Sequence, residues 1–205
     1  MTLDQYRDIA DRMLVPFVDA AKALGLTPDG VSVIAFGFAG AAGGAFALAG
    51  GQGPVWLYLA ASLFVFANGW LDLVDGALAR QLGTDSKGGD LLDHVLDRYA
   101  DVLIIAGLAA GADAYALGLL AVTGVLLTSY LGTQIQAVGL GREYGGLLGR
   151  ADRLALVGVV GVVAFVAPGS IVAGFGAVEL LLVLFAVVGH VTALQRFWGA
   201  WSDLS

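Results

Sequence analysis

The chain has 205 residues, 59% of them hydrophobic and 13% charged, with no cysteine and a formal net charge of −7. A soluble domain carries roughly a quarter charged residues, so this composition excludes one and points to an integral membrane protein. The acidic balance leaves no basic face to hold phosphodiester chains, which excludes nucleic acid as a partner, and the lack of cysteine excludes both a disulfide framework and a thiolate metal site.

Near the amino terminus Leu3, Tyr6, Ile9, Met13 and Leu14 recur at helical spacing among Asp4, Arg7, Asp8, Asp11, Arg12, Asp19 and Lys22. That pattern predicts an amphipathic helix on the membrane surface within residues 1–26, and not a cleavable signal, which needs a long apolar centre. Apolar runs follow at 31–50, 55–71, 102–124, 154–166 and 171–191. They approach or reach the ~20 residues that cross a ~30 Å hydrocarbon layer as helix. Turn signals at 27–30, 50–54, 83–89, 111–113, 139–149 and 168–170 divide the chain between them. The expected fold is an all-α integral membrane domain spanning 1–205: an amphipathic juxtamembrane segment over 1–26, then six transmembrane helices over 27–198.

With a cytoplasmic amino terminus, Arg7, Arg12, Lys22, Arg80, Lys87, Arg98, Arg142, Arg150, Arg153 and Arg196 all fall in or near the inner face. None is left for the outer loops, as the positive-inside rule requires. The site is therefore expected at the cytoplasmic face of the cell membrane. Small residues over 35–51 let helices approach closely, and Trp56, Trp70, Trp198 and Trp201 read as anchors at the membrane interface.

One stretch breaks the apolar character, DLVDGALARQLGTDSKGGDLLDHVLD over residues 72–97. Helical geometry puts Asp72, Asp75, Gly76 and Ala79 on one face, and Asp90, Asp93, Asp97 and Asp101 on one face of the next helix. Helices joined by a short loop are antiparallel neighbours, so the acidic faces converge. Like charges converging in a low dielectric need a cation, and oxygen-only ligation suits Mg²⁺ or Mn²⁺. The expected site is a metal centre of one ion or two. Gly76 and Ala79 leave space on the same face, and Arg80 adds a phosphate fork, which together suit a diphosphate.

The pattern Asp72-x-x-Asp75-Gly76-x-x-Ala79-Arg80, eight residues, then Gly89-x-x-x-Asp93-x-x-x-Asp97 resembles the signature of the CDP-alcohol phosphotransferase (phosphatidyltransferase) family. Leu26-Thr27-Pro28-Asp29, Ser129-Tyr130, Arg150-x-x-Arg153-Leu154 and Gln195-Arg196 extend the likeness, which is greatest to the phosphatidylinositol-phosphate and archaetidylinositol-phosphate synthases. The resemblance implies phospholipid biosynthesis: a phosphatidyl or archaetidyl group passes from CDP-diacylglycerol or CDP-archaeol to a small alcohol, and CMP leaves. It further implies that Asp72, Asp75, Asp93 and Asp97 hold two Mg²⁺ or Mn²⁺ ions, with Asp97 as base on the acceptor hydroxyl. By the same likeness Asp72, Gly76, Ala79, Arg80, Ser86 and Gly89 contact the CDP-lipid, Asp29, Gly30, Val31 and Ser32 close over the cytidine, and the protein is a homodimer.

For the acceptor, Arg150, Arg153 and Arg196, with Arg142 nearby, form a basic set able to grip a phosphate. This suits a phosphorylated polyol, inositol phosphate or glycerol 3-phosphate. Leu131-Gly132-Thr133-Gln134 departs from the lysine and arginine that inositol-phosphate enzymes tend to carry there, which keeps serine or another small alcohol open. Asp29 also reads as an N-cap, and His94 and His190 as packing or local hydrogen-bonding residues. Two other classes use acidic membrane helices. Prenyltransferases place their aspartate motifs far apart in the chain, and cation transporters place theirs near mid-membrane in repeated halves; a contiguous hairpin near one face fits neither.

Overall fold

The computed structural model describes residues 7–51, 53–84, 86–141 and 148–205, with side chains from residue 13 onward. Leu3, Tyr6, the Ile9 side chain and Arg142 lie outside the described residues. Among the described residues the chain folds into seven helices: α1 (Arg7–Ala23), α2 (Pro28–Ala49), α3 (Trp56–Leu82), α4 (Lys87–Gly111), α5 (Tyr115–Ala137), α6 (Arg150–Val166) and α7 (Ala177–Leu204). Four of them, α2, α3, α5 and α7, are long and apolar enough to cross a membrane. Helix α4 has the length, but Asp90, Asp93, Asp97, Arg98 and Asp101 interrupt its apolar character, and α6 has 17 residues.

Lipid tails are as apolar as leucine, so helices in a membrane associate through close packing more than through the hydrophobic effect. Here the small residues provide it. Helix α2 lies between α3 and α4, and its Ala39, Ala42 and Phe46 share a core with Ala100, Ile104 and Leu108 of α4. At the crossing a Cβ on Gly107 would stand 2.1 Å from the carbonyl oxygen of Gly43, so backbone touches backbone. Helices α5 and α7 meet in the same way, where a Cβ on Gly189 would lie 2.6 Å from the Gly124 carbonyl carbon.

Several expectations are corrected. The apolar run at 102–124 is not one helix: the turn expected at 111–113 divides it, at Ala112 and at Asp113, whose φ is +50°. The run at 171–191 starts as a small antiparallel bridge between Val172 and Phe175, and helix begins only at Ala177. Thr27, not Asp29, caps α2: its hydroxyl accepts from the Gly30 amide at 3.1 Å, and Pro28 follows in the first turn where its missing N–H costs nothing. On α1, Leu14, Val18 and Ala21 are buried against Val74, Ala77 and Leu78 of α3, whereas Met13 is exposed. Successive helical residues diverge by 100°, so Met13 and Leu14 cannot share a face. Trp56, Trp198 and Trp201 are exposed as anchors require, but Trp70 is a clasp between elements, stacked on Phe66 and edge-on to Phe17 of α1.

Candidate metal and phosphate site

The last turns of α3 and the first turns of α4 carry the acids. Gly83 ends α3 in the left-handed conformation (φ +62°), its N–H reaching the Ala79 and Arg80 carbonyls. Ser86 then caps α4 by accepting from the Gly89 amide at 3.0 Å. This tight connection reverses the chain, but α4 packs on α2 and not along α3, which corrects the expectation of two neighbouring helices: the acids meet near the connection, beside α2. One carboxylate oxygen from each of Asp72, Asp75 and Asp93 lies within 4.8 Å of the others. Asp75 is buried, and the hydroxyl of Ser32 on α2 donates to its Oδ2 at 2.6 Å. Three carboxylates at this separation repel unless a cation lies between them, and an oxygen-only donor set fits a hard divalent ion. The residues present therefore fit Mg²⁺ or Mn²⁺.

Asp97, one turn beyond Asp93, adjoins this group under the control of arginines. Arg150, at the start of α6, places one guanidinium nitrogen 2.7 Å from Asp72 Oδ2 and the other 2.6 Å from Asp97 Oδ1. Arg98 approaches the other oxygen of Asp97 at 3.5 Å and Asp101 at 3.4 Å, and also donates to the Ser129 hydroxyl. Arg153, next along the buried face of α6, donates to Asp101 at 2.9 Å. Arg196 of α7 donates to the Thr128 carbonyl of α5. Thus Arg150 joins the carboxylates directly, and Arg153 does so through Asp101. Asp101, expected on the acidic face of α4, and Arg98, expected at the inner face, both join this network, although neither was among the expected site residues.

The remaining expected residues divide. Gly76 lies under Arg80, for a Cβ there would stand 3.4 Å from an Arg80 guanidinium nitrogen. Ala79 lies one turn from Asp75, half-buried on α3. Gly89 is close to both Asp29 and Ser86, each 3.3 Å from where its Cβ would be, so the start of α2 meets the start of α4. Gly30 is engaged in the Thr27 cap. Val31 is 1% exposed within the cluster joining α1, α2 and α3, so its side chain faces the core. The Ser86 hydroxyl is occupied as a helix cap. His94 makes the expected local contact, 2.8 Å from the Asp90 carbonyl, and His190 packs on Gly124 with Thr123 3.5 Å away.

A family model described as CDP-alcohol phosphatidyltransferase matches residues 26–195. A phosphatidylinositol phosphate synthase of Streptomyces avermitilis is 34% identical over 95% of this chain and 80% of its own. An archaetidylinositol phosphate synthase of Methanothermobacter thermautotrophicus is 29% identical over 98% of this chain and 95% of its own. Among solved structures, the Mycobacterium tuberculosis phosphatidylinositol phosphate synthase with CDP-DAG bound matches with a TM-score of 0.76 at 25% identity, covering 93% of this chain and 94% of that one. The same mycobacterial protein in complex with manganese and citrate gives 0.77, also at 25% identity, over 92% of this chain and 88% of that one.

Proposed function

Because the chain belongs to the CDP-alcohol phosphatidyltransferase family, we propose that this transferase of phospholipid biosynthesis moves a phosphatidyl or archaetidyl group from a CDP-linked lipid to a phosphorylated polyol, inositol phosphate foremost. The convergence of Asp72, Asp75 and Asp93 within 4.8 Å carries the reading. These three carboxylates, with Asp97 beside them, hold two divalent ions, Mg²⁺ or Mn²⁺. Metal bound there supplies neutralisation of the diphosphate charge.

The residues of the chain do the rest. Gly76 and Ala79 leave the face of α3 low enough for the diphosphate to lie against it, and Arg80 grips a phosphate oxygen. Asp29, with Gly30, Val31 and Ser32, Ser86 and Gly89, borders the nucleotide; for Val31 the backbone serves, since its side chain is buried. The acceptor oxygen forms a bond to the lipid-bearing phosphorus as the P–O bond to the nucleotide phosphate breaks, and the hydroxyl proton passes to Asp97. CMP leaves with the bridging oxygen. Because metal ligation and its ion pairs with Arg150 and Arg98 make Asp97 a weak base, its part is to position the hydroxyl as much as to take the proton. Arg150, Arg153 and Arg196 hold the acceptor phosphate.

In this reading α4 and α6 also cross the bilayer, giving six spans after the juxtamembrane α1 in a single domain. The site faces the cytoplasm, where the positive-inside pattern puts the arginines, and the protein is a homodimer. The uncharged run Leu131-Gly132-Thr133-Gln134 supports a second reading, in which the same chemistry uses serine or another small alcohol. Purified protein given CDP-diacylglycerol or CDP-archaeol, Mg²⁺ or Mn²⁺, and inositol phosphate, glycerol 3-phosphate or serine tests all of this. CMP is expected only when lipid, metal and alcohol are all present. No CMP from any complete mixture of lipid, metal and alcohol, or cation uptake into vesicles without turnover, refutes it.

A further inference from the structure

Two residues that line one small cavity each carry a buried polar atom without a partner among the described residues. Asn68, one helical turn below Asp72 on α3, is 2% exposed, and its amide nitrogen donates to the Ala35 carbonyl at 2.9 Å, which fixes the orientation of the side chain. Its Oδ1 has no hydrogen-bond partner, and neither has Nε of Arg150. Leaving such an atom unsatisfied in the interior costs about 1–3 kcal/mol, so polar atoms of this kind are kept where something fills their valence. Asn68 and Arg150 both line a cavity that also takes in Ser32, Asp72, Asp93 and Asp97, and its free space of about 10 Å³ admits one water-sized group.

The hydrogen-bonding character of the two atoms defines the occupant. Asn68 Oδ1 only accepts, and Arg150 Nε–H only donates. A neutral hydroxyl offers one donor and one acceptor and satisfies both. An ammonium would meet the arginine as a like charge, and a carboxylate would meet Oδ1 and the neighbouring aspartates. The cavity opens beside the carboxylates where the acceptor reacts, so a ligand held there can reach in with a single oxygen. We propose that Asn68 Oδ1 and Arg150 Nε form a receptor for a hydroxyl of the acceptor other than the attacking one, which makes Asn68 a residue selecting polyols over amino alcohols. The inference rests on the transfer reading above and adds its substrate discrimination.

The test is a cycle that pairs a change in the protein with a change in the ligand. Wild type and Asn68→Leu, which fills the space without an acceptor atom, are compared in nanodiscs containing CDP-diacylglycerol and Mn²⁺. The acceptors are myo-inositol phosphate and its monodeoxy analogues. A site built around a hydroxyl discriminates strongly against its absence. One analogue is expected to lose at least tenfold in acceptor kcat/KM with wild type. Asn68→Leu should lose a similar factor with the parent polyol and show no further loss with that analogue, while KM for the CDP-lipid and Mn²⁺ affinity by electron paramagnetic resonance change less than twofold. Independent, multiplying losses would overturn the proposal, as would equal changes in donor and acceptor terms. Unchanged kinetics with a lowered melting temperature would mean that the cavity holds only water and would overturn it too. Asn68→Ala carries the same comparison if the leucine variant does not assemble. Should wild type make no CMP, the transfer reading falls alone: calorimetric Kd values of the same polyol phosphates with Mn²⁺ then read the cycle, and a coupling below twofold ends the receptor as well.

Discussion

Arg153 and Asp101 form an ion pair at 2.9 Å between side chains only 9% and 5% exposed. Neither charge reaches bulk water, and although Asp101 is also approached by Arg98, Asp101 is the acid that Arg153 pairs with. Removing one member of a buried pair typically costs about 3–5 kcal/mol, because the survivor is left charged and uncompensated. Asp101→Asn is therefore expected to lower the melting temperature markedly and to free Arg153 from its position. Acceptor KM should rise more than CDP-lipid KM, a split that steady-state kinetics on the assembled fraction measures. Equal effects on both substrates would leave Asp101 a purely structural residue.

Arg150 has a different relation to its partners, because the oxygens it holds on Asp72 and Asp97 are ones a divalent ion would also use. The guanidinium and the ion compete for the same negative charge. Arg150→Gln is expected to tighten Mn²⁺ binding several-fold while lowering the melting temperature of metal-free protein, as the carboxylates lose their internal counter-charge. Titration followed by electron paramagnetic resonance, with thermal unfolding in chelator, checks both. Weaker Mn²⁺ binding would show that Arg150 assists the metal instead.

Ser32 approaches the site from outside the acidic hairpin, and its hydroxyl is 2.6 Å from Asp75 Oδ2. A group that orients a ligating carboxylate typically governs 10–100-fold in metal affinity. Ser32→Ala is expected to weaken Mn²⁺ binding about tenfold with little change in thermal stability, since a small hydroxyl is replaced by a methyl in a buried position. An unchanged titration would place Asp75 outside the metal shell.

The acidic cluster was legible because its signal is periodic: carboxylates three and four residues apart share a face on each of two consecutive helices, although the packing of α2 against both was not foreseen. The helix limits were legible where glycine, proline or a capping threonine marks them, the turn at 111–113 included, and failed at 171–176, where a small bridge precedes the start of α7 at Ala177. The packing of Trp70 on Phe17 of α1 could not be read, because an aromatic residue suits both an interface and a packed clasp. Nor could Asn68, whose significance lies in an unpaired oxygen that only the packing of α2 on α3 defines. The pairing of Arg150 with Asp72 and Asp97 could not be read either, because it depends on how α6 lies against α3.

Close helix packing also sets the depth of the site, and two glycines separate that effect from helix propensity. A Cβ at Gly107 would stand 2.1 Å from the Gly43 carbonyl oxygen, a backbone atom that cannot move without shifting α2, whereas at Gly40 the nearest atom is a flexible leucine carbon at 3.9 Å. Gly40→Ala gains helix propensity, up to about 1 kcal/mol, and meets only ordinary contact, so unchanged or slightly raised stability is expected. Gly107→Ala gains the same propensity but forces α4 away from α2, an overpacking that costs about 1–3 kcal/mol or more. Since Asp93 sits on α4 and its partners Asp72 and Asp75 on α3, which itself packs on α2, the displacement should separate the three carboxylates. Gly107→Ala is thus expected to lower the melting temperature by several degrees and to weaken Mn²⁺ binding together with it, while Gly40→Ala does neither. Intact metal affinity in a folded Gly107→Ala protein would show that the hairpin holds its geometry without the crossing of α2 and α4.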